Sequence, residues 1–377
     1  GHALVILYFL VSGLVFDEIG LEHRMFKFAS ASLGTYSDMN TYGHYIPAFS
    51  WFNLYWIGFA LLLFAIAVTF SVRGVDTVLK TRVKLARQRF ARPVLVFTAA
   101  ALLLFVGSGC YIFYNTTMLN QYQTSDEGKE IFANYEKTLK KYQDIPQPRI
   151  VEVRMEVDVF PYQRDLEARG RYVMKNKTSV PIEELHLQTN ELVGGLETEI
   201  LGLERLDSLG GTSMEVANSW EKFGYYIYAL DRPLAPGDSL NIDWKVTLDS
   251  KGFVEGGSNT SLVFNGTFFN NSYFPGIGYE ESVELSSDDD RKDYDLPEKP
   301  DRGRPRTDSM GRRMNLLGDD ADNLRFGITM STAADQIAIA PGYLQKEWTK
   351  GDRRYFQYEM DVPMFNFFSM VSARYEV

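Results

Sequence analysis

The chain has 377 residues, a mean hydropathy of −0.19 and a formal net charge of −10 at pH 7. It is too long for one small domain and too polar to lie in a membrane throughout. The acidic excess falls on residues 115–377, which carry −14, against +6 on 71–92 and −2 on 1–70. This balance argues against a nucleic-acid partner, which would require clustered Lys and Arg. The single cysteine, Cys110, excludes a disulfide framework or a cysteine zinc site within the chain.

The chain begins with an apolar run over residues 3–16, which is short for a membrane span. We expect a span cut off by the start of the sequence, and a buried helix is the alternative. The first residue is Gly1, and no basic segment or small-residue cleavage site marks a signal peptide. The sequence is therefore expected to be a fragment of a longer protein.

Two longer apolar runs, 46–70 and 93–114, have the length of membrane-spanning helices. The segment between them, 73–92, holds seven Lys or Arg against one Asp, which predicts a cytoplasmic loop by the positive-inside rule. A solvated helix face or a patch for lipid headgroups would produce the same charges. Residues 1–114 are thus predicted to form a transmembrane region, with the chain after 114 outside the cytoplasm.

Residues 115–148 are predicted to form an amphipathic stalk and linker. Ile131, Tyr135, Leu139 and Tyr142 recur at helical spacing, and the Ile145-Pro146 step ends the pattern.

Beyond the linker the period of the apolar residues becomes two. Val151, Val153, Met155, Val157 and Val159 alternate with charged residues, which predicts a half-buried strand. Further strands are predicted over 170–174, 182–188, 224–230, 240–248, 326–330, 336–340, 355–360 and 365–375. The fold class is therefore a membrane α-helical segment followed by an all-β domain, an antiparallel sandwich or saddle over 149–377.

Residues 286–323 are dominated by charged residues, Pro and Gly. We expect an exposed, charged insert within the β domain, either a solvated linker or a binding segment.

No catalytic constellation can be assembled from the sequence. The four histidines are scattered, and no HExxH, GxSxG or P-loop sequence occurs. His186 is interpreted as an ordinary strand residue, and the carboxylates Asp288 to Asp290 as solvated. We therefore assign no catalytic residue and no metal ligand.

Two blocks of sequence resemble a known family. The membrane block, with YSDMNTYGHY at 36–45 and WFNLYWIGFALLL at 51–63, resembles the permease part of bacterial proteins that join an ABC-2-type permease to an M1-family aminopeptidase. The β block resembles the amino-terminal saddle domain of M1 zinc aminopeptidases. The segments that carry this second resemblance are FFNNSYFPGIGYE at 268–280, DQIAIAPGYLQKEW at 335–348 and RRYFQYEMDVPMFNFFSMVSARY at 353–375.

The resemblance implies a multi-pass protein of the bacterial cytoplasmic membrane with its β domain in the periplasm. Its partners would be the lipid bilayer, a downstream M1 catalytic domain that holds Zn, a peptide substrate and a cytoplasmic ABC ATPase. The M1 saddle domain contributes a Gln or Glu that grips the substrate amine, but residues 262–275 contain neither. Asn265 is the nearest polar candidate for substrate binding, and a strand-end role in the turn Asn265-Gly266 is the alternative.

Three functions remain open. The chain is either the non-catalytic β domain and anchor of an M1-type aminopeptidase, or an ABC transporter permease component whose β domain handles substrate without peptidase activity. An anchored binding module is the third.

Overall fold

A computed structural model of the chain describes residues 2–31, 33–71, 79–190, 196–205, 214–256, 259–299, 305–307 and 321–376. The chain folds as two compact units. The first unit contains Gly1–Thr124 and Lys251–Ser258, and the second contains Ser125–Ser250 and Asn259–Val377.

The first unit is helical. Its helices are α1 (His2–Leu14), α2 (Tyr45–Phe70), α3 (Leu79–Arg89) and α4 (Arg92–Phe113). Pro93 lies in the first turn of α4, where its missing N–H is not needed by the helix. The predicted basic loop 73–92 contains the helix α3, Leu79–Arg89. Residues 72–78 lie outside the described residues.

The prediction ends this helix at residue 114, but the helical conformation extends beyond that residue. It continues as a π-helical turn, Tyr114–Leu119, in which Asn115 Nδ2 donates to Tyr111 O (2.8 Å) and Thr116 Oγ1 donates to Ile112 O (3.0 Å). These side chains satisfy carbonyls of the preceding turn, so the polar residues after Tyr114 prolong the helix.

Helices α2 and α4 pack closely because a glycine lies where they cross. A Cβ atom at Gly58 would lie 2.8 Å from the backbone nitrogen of Phe105. Next to this contact the rings of Tyr55 and Phe105 stack with their centroids 4.5 Å apart. Small residues that let two backbones approach are typical of helix pairs in membranes.

The outer faces of α2 and α4 are apolar. The two helices are long and apolar enough to span a bilayer, and only 33% and 22% of their most apolar windows are buried. Phe64 is 59% exposed and Leu103 is 77% exposed. On a soluble protein, a continuous exposed apolar surface of this kind marks a site that binds another protein or a membrane. The first predicted span, 3–16, is the short helix α1, whose 13 residues fall below the length that a bilayer requires.

The second unit contains the helices α5 (Ser125–Leu139) and α6 (Asp288–Asp293) and fourteen strands within the described residues. The strands are β1 (Arg149–Phe160), β2 (Asp165–Lys175), β3 (Ile182–Gln188), β4 (Leu196–Arg205), β5 (Met214–Trp220), β6 (Tyr225–Leu234), β7 (Ser239–Leu248), β8 (Thr267–Asn270), β9 (Gly276–Ile277), β10 (Ala321–Ala333), β11 (Ile337–Ile339), β12 (Tyr343–Lys350), β13 (Arg353–Glu359) and β14 (Ser369–Ala373).

These strands form three sheets. Their orders are β12-β13-β10-β1-β2-β7-β4, β11-β14-β8 and β5-β6-β3-β9. The expectation of a purely antiparallel domain is wrong at one position, because β1 and β10 pair in parallel. Parallel neighbours require a long connection, and here all of β2 to β9 lies between the two strands in the chain.

The core of the second unit follows the predicted alternation. Val153, Val157 and Val159 of β1 are buried, as is Trp244 of β7. Gly170 pairs with Trp244 across β2 and β7, and a Cβ atom at Gly170 would lie 2.1 Å from the Trp244 ring. The glycine in an otherwise β-favouring strand is therefore required by the large ring that packs over it.

Several elements differ from the prediction. Strands β4, β5, β8, β9 and β12 were not expected, and the predicted strand 365–375 is reduced to β14. The insert 286–323 was expected to be exposed, yet its first part forms α6, and Arg291 of α6 is only 1% exposed. Residues 300–304 and 308–320 of this insert lie outside the described residues.

Candidate functional site

The Asn265 turn connects the segment 259–264 to β8. Gly266 adopts a left-handed φ of 94°, which allows the chain to reverse immediately before Thr267. The side-chain oxygen Oδ1 of Asn265 accepts a hydrogen bond from the backbone N of Arg374 (2.8 Å). Asn265 thus holds the chain that follows β14 against the turn.

Buried polar side chains fix this turn from below. Gln336 Nε2 donates to Phe264 O (2.8 Å), and Ser372 Oγ donates to Gln336 Oε1 (2.8 Å). The hydroxyls of Thr332 and Ser372 lie 2.6 Å apart, and all three side chains are fully buried. Because a buried polar group is costly without a partner, this chain of hydrogen bonds favours one conformation of the turn.

A charged rim lies beside Asn265. Arg374 Nε donates to Asp335 Oδ2 (2.6 Å), and Tyr162 Oη donates to the same oxygen (2.5 Å). The hydrogen bonds from Tyr162 and then Arg374 lower the pKa of Asp335. The carboxylate stays ionised and occupied by donors, so this rim can position a ligand but offers no general acid.

A buried ion pair joins α5 to α6. Arg291 makes two parallel hydrogen bonds to Glu136, with Nη1 to Oε2 at 2.7 Å and Nη2 to Oε1 at 2.8 Å. Both side chains are 1% exposed. Burial alone would raise the pKa of Glu136, but the hydrogen bonds from Arg291 and Lys140 outweigh it, and the net shift is downward.

The network continues to a second buried carboxylate. Lys140 Nζ lies 2.9 Å from Glu136 Oε1 and 3.1 Å from Glu284 Oε1, and Tyr279 Oη donates to Glu284 (2.8 Å). Burial would raise the pKa of Glu284, yet the donors Tyr279, Lys299 and Lys140 lower it overall. Since each charge has a partner, this network is suited to holding α5 against the rest of the second unit rather than to transferring a proton.

The first unit has its own cluster of titratable side chains at His23. His23 Nε2 lies 3.2 Å from Thr116 Oγ1 and 4.0 Å from Glu255 Oε2, while Nδ1 accepts from the backbone N of Met25. Burial, and then the charge of Arg24, lowers the pKa of His23 to about 4. The imidazole is therefore neutral at pH 7. Burial raises the pKa of Glu255, whose Oε1 accepts one hydrogen bond from the backbone N of Arg24.

His186 lies in β3 and is fully buried. Its Nδ1 is 2.8 Å from Tyr225 Oη, and its Nε2 is 3.5 Å from Glu184 Oε2. Burial lowers its pKa despite the opposing effect of Glu184. The side chain packs among aromatic rings, in agreement with an ordinary strand residue.

A metal site requires several donor side chains close together. In the parts of the chain that the structure covers, no group of three or more His, Cys, Asp or Glu is placed to hold a metal ion. The zinc that the resemblance implies for an M1 protein therefore finds no donor set among these residues, and no chemical step is derived through it.

The basic segment contributes helix α3, whose sequence LKTRVKLARQR contains five cations and no acidic residue. Arg89 Nη1 donates to the carbonyl oxygens of Ser71 and Thr69, so it caps the end of α2.

Sequence reasoning missed the two clusters at Glu136 and His23. Arg291 is 155 positions from Glu136, and Glu255 is 232 positions from His23. A single sequence carries no local signal for such pairs. The sequence of α6 places Asp288 to Asp290 before Arg291, and nothing in it points to Glu136 as the partner.

Comparisons with known proteins gave structural neighbours only. No family model matches the chain, and no curated protein matches it. The crystal structure of an M1 zinc metallopeptidase from Deinococcus radiodurans is similar at 12% identity and a TM-score of 0.34, over 60% of this chain and 42% of that chain. A two-domain M1 zinc metallopeptidase mutant bound to L-tryptophan is similar at 11% identity and a TM-score of 0.35, over 61% of this chain and 43% of that chain. The chain thus spans less than half the length of these solved structures.

Proposed function

We propose that this chain is the membrane anchor and non-catalytic β domain of an M1-type aminopeptidase-like protein of the bacterial cytoplasmic membrane. The observation that carries the proposal is the pair of long helices α2 and α4, which turn most of their apolar side chains outward in a chain that also folds a large multi-sheet β unit. Contact of such a continuous apolar surface with water is unfavourable, whereas its contact with the acyl chains of lipids is favourable.

The M1 part of the proposal rests on the sequence resemblance. Its three segments, 268–280, 335–348 and 353–375, contribute strands to all three sheets. The strands β8, β11 and β14 are hydrogen-bonded neighbours in the sheet β11-β14-β8, while β9 lies in the four-stranded sheet and β12 and β13 lie in the seven-stranded sheet. The meeting of β8, β11 and β14 in one sheet is the part of the fold that supports the proposal.

In this proposal a downstream catalytic domain supplies the zinc and the peptide chemistry, and the β domain contributes shape and contacts. Asn265 is proposed to contact the amine of the peptide substrate. Because its Oδ1 already accepts from Arg374 N, that contact would share or replace an existing hydrogen bond. The Asp335 carboxylate is paired with the guanidinium of the same Arg374, so the two charges largely balance near the proposed amine position.

The membrane part is tested by extraction and by topology. The full chain is expected to stay in the membrane fraction after alkaline carbonate washing. In a Cys110→Ser background, Lys175→Cys should react with an impermeant maleimide on spheroplasts, whereas Lys84→Cys should react only after lysis. Release of the chain by carbonate, or labelling of Lys84→Cys on intact spheroplasts, would contradict the proposal.

The enzymatic part is tested with aminoacyl-p-nitroanilide substrates. We expect the purified full chain with Zn²⁺ to show no turnover above the blank, and membranes that also carry the M1-type catalytic domain to hydrolyse the substrate. In that complete system Asn265→Ala should raise KM more than it lowers kcat, because a ground-state amine contact is lost. Robust turnover by the chain alone would refute the non-catalytic role.

A second candidate, an ABC transporter permease component, is favoured by the basic helix α3 between the two apolar helices. A cytoplasmic ATPase would be its partner. Reversing the charges of Arg82, Lys84, Arg87 and Arg89 should then abolish co-purification of that ATPase. Unchanged co-purification, or none with the unaltered chain, would remove this candidate.

A further inference from the structure

A cavity of about 380 Å³ lies within the first unit, between the carboxyl end of α2, the helix α3 and the start of α4. Its walls include Ile66 and Phe70 of α2, Val83 and Ala86 of α3, and Thr98 of α4. The volume falls in the range of about 300–1,000 Å³ that is usual for small-molecule sites.

The walls of the cavity are apolar. The hydroxyl of Thr98 donates to Val94 O (2.8 Å), and that of Thr69 donates to Ala65 O (2.7 Å), so both are used within their own helices. What remains open to an occupant is hydrocarbon surface, which favours an apolar chain over water.

Arg87 is the charged side chain among the lining residues. It lies in the last turn of α3, on a helix that has five cations and no acidic residue. The neighbouring cation Arg89 is occupied at the end of α2. An occupant that is apolar along most of its length and anionic at one end would match both the walls and this charge.

We propose that the cavity binds an anionic phospholipid, with an acyl chain against Ile66, Phe70 and Val83 and the phosphate on Arg87. The inference rests on the proposed function, because it requires α2 and α4 to lie in a bilayer. The surroundings support a lipid rather than a water-borne ligand, since Ile66, Phe70, Val83 and Phe90 are each 40% or more exposed at the rim. Basic pockets between membrane helices on the cytoplasmic side are suited to acidic headgroups.

The test uses the full chain in detergent and native mass spectrometry with dioleoyl phosphatidylglycerol or dioleoyl phosphatidylcholine as the added lipid. We expect one phosphatidylglycerol to be retained in preference to phosphatidylcholine. Arg87→Gln should weaken phosphatidylglycerol binding about fivefold and leave phosphatidylcholine unchanged. Thr98→Leu, which fills the cavity without changing charge, should weaken both lipids.

Lys84→Gln is the matched control, because it removes a cation from α3 that does not line the cavity. Its effect should stay below about twofold, and an effect equal to that of Arg87→Gln would replace the site with general surface attraction. Displacement of the lipid by inorganic phosphate would also overturn the proposal. A chain that resists carbonate extraction but shows no preference for phosphatidylglycerol refutes the lipid site alone. A chain that carbonate releases refutes the membrane function beneath it.

Discussion

At the scale of single residues, the Glu136–Arg291 pair shows how two charges can be buried together. Each guanidinium nitrogen that faces Glu136 finds one carboxylate oxygen, and Arg291 also donates to the carbonyls of Leu285 and Pro297. Desolvation of both ions is compensated only while these partners remain.

Arg291→Met is therefore expected to destabilise the second unit by about 3–5 kcal/mol, because Glu136 is left buried with Lys140 as its remaining cation. Urea unfolding of the full chain in detergent, followed by tryptophan fluorescence, measures the change. Arg171→Met is the matched control, since its ion pair with Asp243 is exposed and should contribute about 0–1 kcal/mol. Equal losses in the two variants would show that the buried pair has no special role.

At the scale of elements, the helical spacing of Ile131, Tyr135, Leu139 and Tyr142 predicts a helix. Helix α5 contains the first three, and Tyr142 lies in the 3₁₀ turn that follows it. The ion pairs that attach α5 to the rest of the second unit were not predicted. They depend on Glu284 and Arg291, which only the fold brings close to this helix. The amphipathic pattern specifies which face of α5 is buried. The charged side chains on that face determine which ion pairs it forms.

These ion pairs also predict that the free energy of unfolding depends on pH. The folded-state pKa values of Glu136 and Glu284 are lowered, so the folded chain binds fewer protons than the unfolded chain near the ordinary value of 4.5. Their stabilisation is present above pH 4.5 and is lost as the pH falls through the lowered values. The stability difference between the unaltered chain and Glu136→Gln should therefore shrink below pH 4.5, as measured by thermal unfolding from pH 6 to 3.

The control for this titration is Glu167→Gln, on the exposed face of β2, which should change stability by no more than about 0.5 kcal/mol. A difference between Glu136→Gln and the unaltered chain that stays constant down to pH 3 would exclude a role for the ionised carboxylate.

Helices α2 and α4 supply a prediction about packing. Gly58→Leu places side-chain atoms where the backbone of Phe105 lies, so the helices must separate at a cost of about 1–3 kcal/mol. Thermal unfolding in detergent, followed by helical circular dichroism, measures the loss. Gly107→Leu in α4 is the matched control, because a Cβ atom there meets nothing within 4 Å. A similar loss in both variants would mean that the cost comes from the glycine replacement itself.

At the scale of the whole molecule, the change of hydrophobic period near Arg149 predicts a helical part followed by a β part. The two units instead divide between Thr124 and Ser125, and Lys251–Ser258 falls in the first unit. Long apolar runs and strict alternation are local, and they located α2, α4, β1 and β7 well. The strand β12 was missed because nearly all of its side chains are exposed, so no alternation exists. The parallel pairing of β1 with β10, and the contacts of Asn265 with Arg374, join residues far apart and leave no periodic trace.

The five tryptophans allow the two units to be followed separately, since Trp51 and Trp56 lie in the first and Trp220, Trp244 and Trp348 in the second. We expect urea in detergent micelles to unfold the second unit first. Its strands exchange their hydrogen bonds with water, whereas the apolar helices in a micelle have no water to take over theirs. A variant with Trp51→Phe and Trp56→Phe should report this early transition. The variant that keeps only Trp51 and Trp56 should report a later transition or none, and one coincident transition for both variants would show that the units unfold as a single cooperative body.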